Sequence, residues 1–193
     1  MTARPILFSG PMVRALLEGR KTQTRRAVKP QPPSGHVYVG RVLCSTHRAD
    51  EGKWTWAVGQ AAMLREAHRV SCPYGQPGDL LWVRETFGEF RENWIGYRAT
   101  CGDPPPDSGS WKPSIFMPRW ASRLTLRITD VRVQRLQDCS HADAAAEGVG
   151  DLIEYGVLWE SINGPGSWDA NPWVWALTFK VIKANVDDVA AAP

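Results

Sequence analysis

From Leu124 to Leu136 the chain alternates: Leu124, Leu126 and Ile128 fall on one face, Thr125, Arg127 and Thr129 on the other. An extended strand points successive side chains to opposite sides, so this period of two predicts a sheet with one face buried. Trp173, Trp175, Leu177, Phe179 and Val181 repeat the pattern in a closing strand, Trp173–Ile182. The first run slips phase near Asp130 and Val131, which predicts a bend or bulge.

Shorter elements surround these two. Pro5–Phe8 reads as a buried strand, and Ser9-Gly10-Pro11 as a helix start with a capping hydroxyl and a first-turn proline. Met12, Val13, Leu16 and Leu17 give that helix an apolar face, and Gly19 is placed to end it. Thr22–Val28 has strand character, and Pro30-Gln-Pro-Pro-Ser-Gly35 breaks the chain. An insertion of about 30–77 follows, with His36–Leu43 paired to Lys53–Val58 and with Ala61–Val70 open between helix and strand. Leu80–Phe87 and Trp94–Ala99 read as strands, and the Pro/Gly/Ser-rich stretch Cys101–Pro113 as an exposed, mobile loop. Ser140-His-Ala-Asp143 fits a capping box opening a helix that ends at Glu147-Gly148. A second helix is expected over Leu152–Ile162, and a frayed tail over 185–193. Residues 1–184 thus form one α+β domain, its order suggesting a small mixed β-barrel decorated with short helices.

Net charge is only +3, but it is uneven. Residues 1–50 hold nine Lys/Arg against two acids, and residues 151–193 hold two against six. A positive field in the first quarter suits a phosphate-bearing or nucleotide partner. No apolar run reaches the ~20 residues that span a bilayer, so no membrane partner and a cytoplasmic address are expected. There the four cysteines stay as thiols. Cys44-Ser-Thr-His47 and His68-Arg-Val-Ser-Cys72 offer metal-type ligands without a familiar second half, so no metal or other cofactor is expected.

The positive field centres on Gly19-Arg20-Lys21-Thr22-Gln23-Thr24-Arg25-Arg26. A lysine acts as a base only when burial or neighbouring cations lower its pKa, and Arg20, Arg25 and Arg26 are near in sequence. Thr24 would then be a nucleophile whose proton Lys21 removes. On a regular strand positions 21 and 24 face opposite ways, so the pair converges only if the backbone turns near Thr22. The alternative is a solvated lysine beside a strand-forming threonine. Glu147, ending a helix of alanines, is the candidate carboxylate, against a plain surface glutamate.

Further candidates, with Arg25 and Arg26 among them, line a substrate-binding surface or are structural. Trp82 and Arg84 share a strand face while Glu85 points away, which suits either a cleft or an internal ion pair. Arg119 beside Trp120 suits phosphate contact with base stacking, or a loop packing its tryptophan inward. No P-loop, Rossmann glycine fingerprint, G-x-S-x-G elbow or H-E-x-x-H occurs.

Taken together, Gly19-Arg-Lys-Thr-Gln-Thr-Arg-Arg26 after a helix, Pro77-Gly-Asp-Leu-Leu-Trp-Val-Arg-Glu85, the strand to Leu136 and Ala-Ala-Ala-Glu147-Gly resemble the ASCH family. That family's barrel is related to the PUA RNA-binding fold. Pro5-Ile-Leu-Phe-Ser-Gly-Pro-Met12 and Trp159-Glu-Ser-Ile-Asn-Gly-Pro-Gly-Ser-Trp-Asp-Ala-Asn-Pro-Trp173 look like its long branch, common in phages and prophages. Some small ASCH proteins are amidohydrolases that deacylate N(4)-acetylcytidine with a lysine and a threonine of a G-R-K-T-x-T motif and a later glutamate. The resemblance carries those roles to Lys21, Thr24 and Glu147 and implies metal-independent chemistry on a modified nucleoside. The insertion and the extra arginine pair, Arg25 and Arg26, depart from the small enzymes. An RNA-binding module without catalysis, or a ribonuclease, is the alternative the same resemblance allows.

Overall fold

A computed structural model describes residues 2–58, 67–90, 94–103, 105 and 109–191. Along the chain run β1 (Ala3–Leu7), α1 (Gly10–Leu17), β2 (Gln23–Ala27), β3 (Val37–Arg41), β4 (Trp54–Ala57), β5 (His68–Val70) and β6 (Leu80–Arg84). β7 (Phe87–Glu89), β8 (Ile95–Tyr97), α2 (Arg98–Cys101), β9 (Thr125–Arg135), α3 (His141–Ala146), α4 (Leu152–Asn163), β10 (Trp173–Ile182) and α5 (Val186–Ala191) complete it. The class is α+β.

The main sheet has the order β1-β6-β9-β10-β2, with β1 parallel to β6 and the other pairings antiparallel. The two alternating runs pair along their length as β9 and β10. Register shifts where Thr178 faces Asp130 and Phe179 faces Ile128, which is the irregularity expected near Asp130. Trp175, Leu177 and Phe179 enter the principal core with Leu124, Leu126 and Ile128, against Val13 and Leu16 of α1. The other side of β10 packs Val174 against Tyr155 and Trp159 of α4. No closed barrel forms among the described strands. β1 and β2 are the two edges of an open sheet, yet the Arg26 guanidinium of β2 donates to the Leu7 carbonyl of β1 at 2.7 Å. The sheet therefore curls far enough for a side chain of one edge to reach the backbone of the other.

A second, three-stranded sheet has the order β3-β4-β5. β3 and β4 form the expected hairpin and β5 adds a third strand. Its fully buried Trp56 stacks edge-on against Trp173 and Trp175, away from the gap between the sheet edges. Residues 61–66 of the stretch that reads as helix or strand lie outside the described residues; His68–Val70 is strand.

Three expectations are corrected. The apolar run Leu80–Phe87 is two strands in different sheets, broken at Glu85 and Thr86. There the Glu85 amide turns to the Met117 sulfur at 3.2 Å. Trp94–Ala99 gives only the short strand β8 before α2 begins. The described part of the C-terminal stretch, to Ala191, is not frayed: Val186 is fully buried on Leu80 and Trp82, and Asn185 donates to the carbonyls of Arg119, Trp120 and Ser122, while 192–193 lie outside the described residues. Of the loop from Cys101 to Pro113, 104 and 106–108 lie outside the described residues, while Lys112 bridges to Phe87.

Candidate active site

Elements β1, β2 and α4 converge on a cavity of about 500 Å³ between the edges of the sheet. β1 contributes Ile6 and Leu7, followed by Phe8; β2 contributes Thr24, Arg25 and Arg26; α4 contributes Tyr155, Leu158 and Trp159. Lys21 and Glu147 close its polar end.

Lys21 is placed by the backbone bend that the sequence demanded. Ser9 occupies the cap position of α1 without a side-chain hydrogen bond, so the proline and the apolar face define that helix start. Gly19, with φ of 76°, turns the chain out of α1. The Lys21 amide then donates to Ala15 O at 3.1 Å, and the Thr22 amide to Ala146 O at the end of α3 at 2.8 Å. Only the Thr22 carbonyl joins the sheet, accepting from Phe179. Regular pairing with β10 starts at Gln23. Lys21 is thus off the strand, and the rule that separates positions 21 and 24 does not apply to it.

Glu147 arrives from the capping box that the sequence displays. The Ser140 hydroxyl accepts from the Asp143 amide at 3.1 Å, and the Asp143 carboxylate accepts from the Ser140 amide at 3.1 Å. α3 ends one residue before Glu147, and Gly148 reverses the chain at φ of 87°.

The two residues meet in a buried ion pair. Lys21 Nζ donates to Glu147 Oε2 at 2.6 Å and to the Glu147 carbonyl at 2.7 Å. Lys21 is 1% exposed and Glu147 3%. Burial pulls the Lys21 pKa below the ordinary lysine value; Glu147 opposes the shift, and Arg26 and Arg25 add to it. The other carboxylate oxygen, Oε1, accepts from Arg25 Nη1 at 3.2 Å and from the Tyr155 hydroxyl at 3.4 Å. Arg25 Nη2 lies 3.0 Å from Asp143 Oδ1. Thr24, 1% exposed, lines the same cavity and pairs across the sheet with Leu177. Phe8 lies under two cations, with Lys21 Nζ 5.6 Å and the Arg26 guanidinium carbon 5.1 Å from its ring centre.

Lys21, Thr24, Arg25, Arg26 and Glu147 are therefore brought together; five other candidates are not. Trp82 packs with Leu80 and Val186 beneath α5. Arg84 stacks on Trp82 and donates to the Ile115 carbonyl. Glu85 takes the ion-pair option: both its oxygens accept from Arg123 at 2.9 Å. Arg119 pairs with Asp187 at 2.7 Å, and Trp120 is exposed beside it rather than packed inward. None of the five lines the cavity.

Sequence reasoning missed Phe8, Asp143 as a partner of Arg25, and Tyr155. The Asp143–Glu147 spacing of four on one short helix was the available signal, since it puts two carboxylates on one face. Nothing local marks Tyr155. Among the described residues no group of three or more His, Cys, Asp or Glu stands where it would hold a metal, and the four thiols are free. No helix of the described residues is long and apolar enough to cross a membrane. No family model matches the chain, and no curated protein or solved structure matches it.

Proposed function

We propose that this cavity is the active site of a metal-independent amidohydrolase acting on N(4)-acetylcytidine or a similar acylated nucleoside. The observation that carries the reading is the buried 2.6 Å contact of Lys21 with Glu147 in a cavity that Thr24 also lines. On the same reading, the curled sheet is a PUA-like framework whose unclosed seam holds the substrate.

The proton balance is closed within the pair. Substrate binding dries the site further, and the Lys21 proton passes to Glu147, leaving a neutral amine. Thr24 Oγ1 attacks the amide carbonyl and yields its proton to Lys21 Nζ. As the C–N bond breaks, Glu147 protonates the leaving amine of cytidine, which restores the ion pair. Water then cleaves the Thr24 acyl ester by the same proton route, releasing the carboxylic acid. The apolar walls, Phe8, Leu158 and Trp159, suit the faces of a pyrimidine ring.

The test is release of cytidine from N(4)-acetylcytidine by purified protein, and its loss in Lys21→Ala and Thr24→Ala. Clean, folded protein that turns over no acylated pyrimidine nucleoside would overturn the proposal. The alternative RNA-binding module predicts salt-sensitive binding that weakens on neutralising Arg26. Arg25 is a poor phosphate ligand on either reading, being buried between two carboxylates.

A further inference from the structure

We infer, building on that reading of the site, that Arg25 and Asp143 are positioning residues that set the proton balance between Lys21 and Glu147. The geometry is a ladder of alternating charge. Asp143 Oδ1 stands 3.0 Å from Arg25 Nη2, Arg25 Nη1 3.2 Å from Glu147 Oε1, and Glu147 Oε2 2.6 Å from Lys21 Nζ. The Arg25 side chain is fully buried, and its strand partner is Ala176, on the face of β10 that meets α3 and α4. Two carboxylates one turn apart repel, and Arg25 lies between them.

Each member has an opposite effect on the step that matters. Arg25 alone would hold Glu147 in its charged form and resist transfer of the Lys21 proton to it. Asp143 lies against the same guanidinium and offsets part of its pull on the Glu147 carboxylate. Asp143 does not line the cavity, and its contact with the residues that do runs through Arg25 to Glu147. The remaining groups facing the ladder are Arg26 from β2, Tyr155 from α4, Cys139 before α3 and Arg132 from β9. Arg26 is tied to the Leu7 carbonyl, and Arg132 approaches Asp143 Oδ1 at 3.4 Å and Asp130 at 3.4 Å. Burial holds Cys139 protonated, at about 11, and pushes Tyr155 well above the ordinary tyrosine range, with Glu147 adding to that shift. Neither Cys139 nor Tyr155 carries charge near neutrality.

Asp143 also belongs to the helix cap, and a second substitution separates the two roles. Ser140→Ala weakens the cap and keeps the Asp143 charge; Asp143→Asn keeps an acceptor oxygen and removes the charge. The experiment follows the Glu147 carboxylate by carbon-13 NMR titration in the full chain, together with the pH–rate profile on N(4)-acetylcytidine. Asp143→Asn should move both the Glu147 titration and the acid limb downward, and Arg25→Gln should move them upward, each by about one pH unit. Ser140→Ala should lower the melting temperature and move neither. Equal profiles for Asp143→Asn and Ser140→Ala would overturn the inference, as would shifts of one sign for Asp143→Asn and Arg25→Gln. If Arg25→Gln does not fold, the Asp143→Asn and Ser140→Ala pair still decides. Shifted Glu147 titrations without turnover in any variant would sink the amidohydrolase reading and leave the charge ladder standing. Turnover with an unmoved Glu147 titration would do the reverse.

Discussion

A Cβ placed on Gly148 would sit 3.2 Å from the Cβ of Lys21 and 3.0 Å from that of Ala15. The glycine lets the end of α3 lie directly on the chain that carries the lysine. Its φ of 87° also disfavours any side chain. Gly148→Ala should therefore cost about 1–2 kcal/mol from the backbone alone and more from crowding. Urea denaturation reads the stability, and on the proposed amidohydrolase reading turnover per folded molecule should fall because Glu147 retreats from Lys21. Unchanged stability would mean that the approach is looser than 3.2 Å.

Removing one member of a buried pair strands the other, whereas an exposed pair is worth little. Glu147→Ala leaves Lys21 and Arg25 buried without their shared carboxylate and should cost about 3–5 kcal/mol. Arg119→Ala breaks only a surface contact with Asp187, which should change stability by less than about 1 kcal/mol. Denaturation of both variants at one ionic strength tests the contrast.

Acid should weaken the fold through Asp143. Burial acts to raise its pKa but is outweighed by the Ser140 amide and hydroxyl and by Arg25, leaving it at about 2 against an ordinary 3.8. A carboxyl whose folded pKa is depressed contributes stability that is present above its unfolded pKa. That contribution is lost as pH falls through the folded value. The Asp143 share should thus disappear between about pH 4 and pH 2. In Asp143→Asn, stability should fall less steeply over that window; parallel pH curves for the two proteins would contradict the assignment.

The C-terminal helix should behave as part of the fold. Asn185→Ala removes the donor shared by the carbonyls of Arg119, Trp120 and Ser122 and should cost about 1–3 kcal/mol. Deleting 185–193 should cost more, because Leu80 and Trp82 lose the cover of Val186. A truncated chain as stable as the full one would reduce α5 to an ornament.

What was legible in the sequence was governed by local physics. Alternation fixed β9 and β10, the slip at Asp130 marked the register shift, and Ser140 with Asp143 marked the cap of α3. What escaped depended on partners distant along the chain. Leu80–Phe87 has continuous strand propensity, but Glu85 is drawn to Arg123, 38 residues away, and the strand breaks there. Trp82, Arg84, Arg119 and Trp120 have the chemistry of a binding surface, and only the tertiary fold turns them away from the cavity. The tail from Asn185 has no strong periodicity; its order comes from carbonyls more than 60 residues earlier. Strand alternation sets Lys21 and Thr24 on opposite faces, but Lys21 lies two residues before β2 begins, where that alternation does not hold.

Arg26 is the only described hydrogen-bond link between the two sheet edges that flank the cavity. The site is therefore a seam held by a single clasp, and whatever enters it becomes a strut between two strands that each have one neighbour. Occupancy and edge motion then share one free energy. Deuterium uptake by the backbone of β1 and β2 would report any occupant without an assay for its chemistry, and a true substrate would leave its mark there before a single bond had been cut.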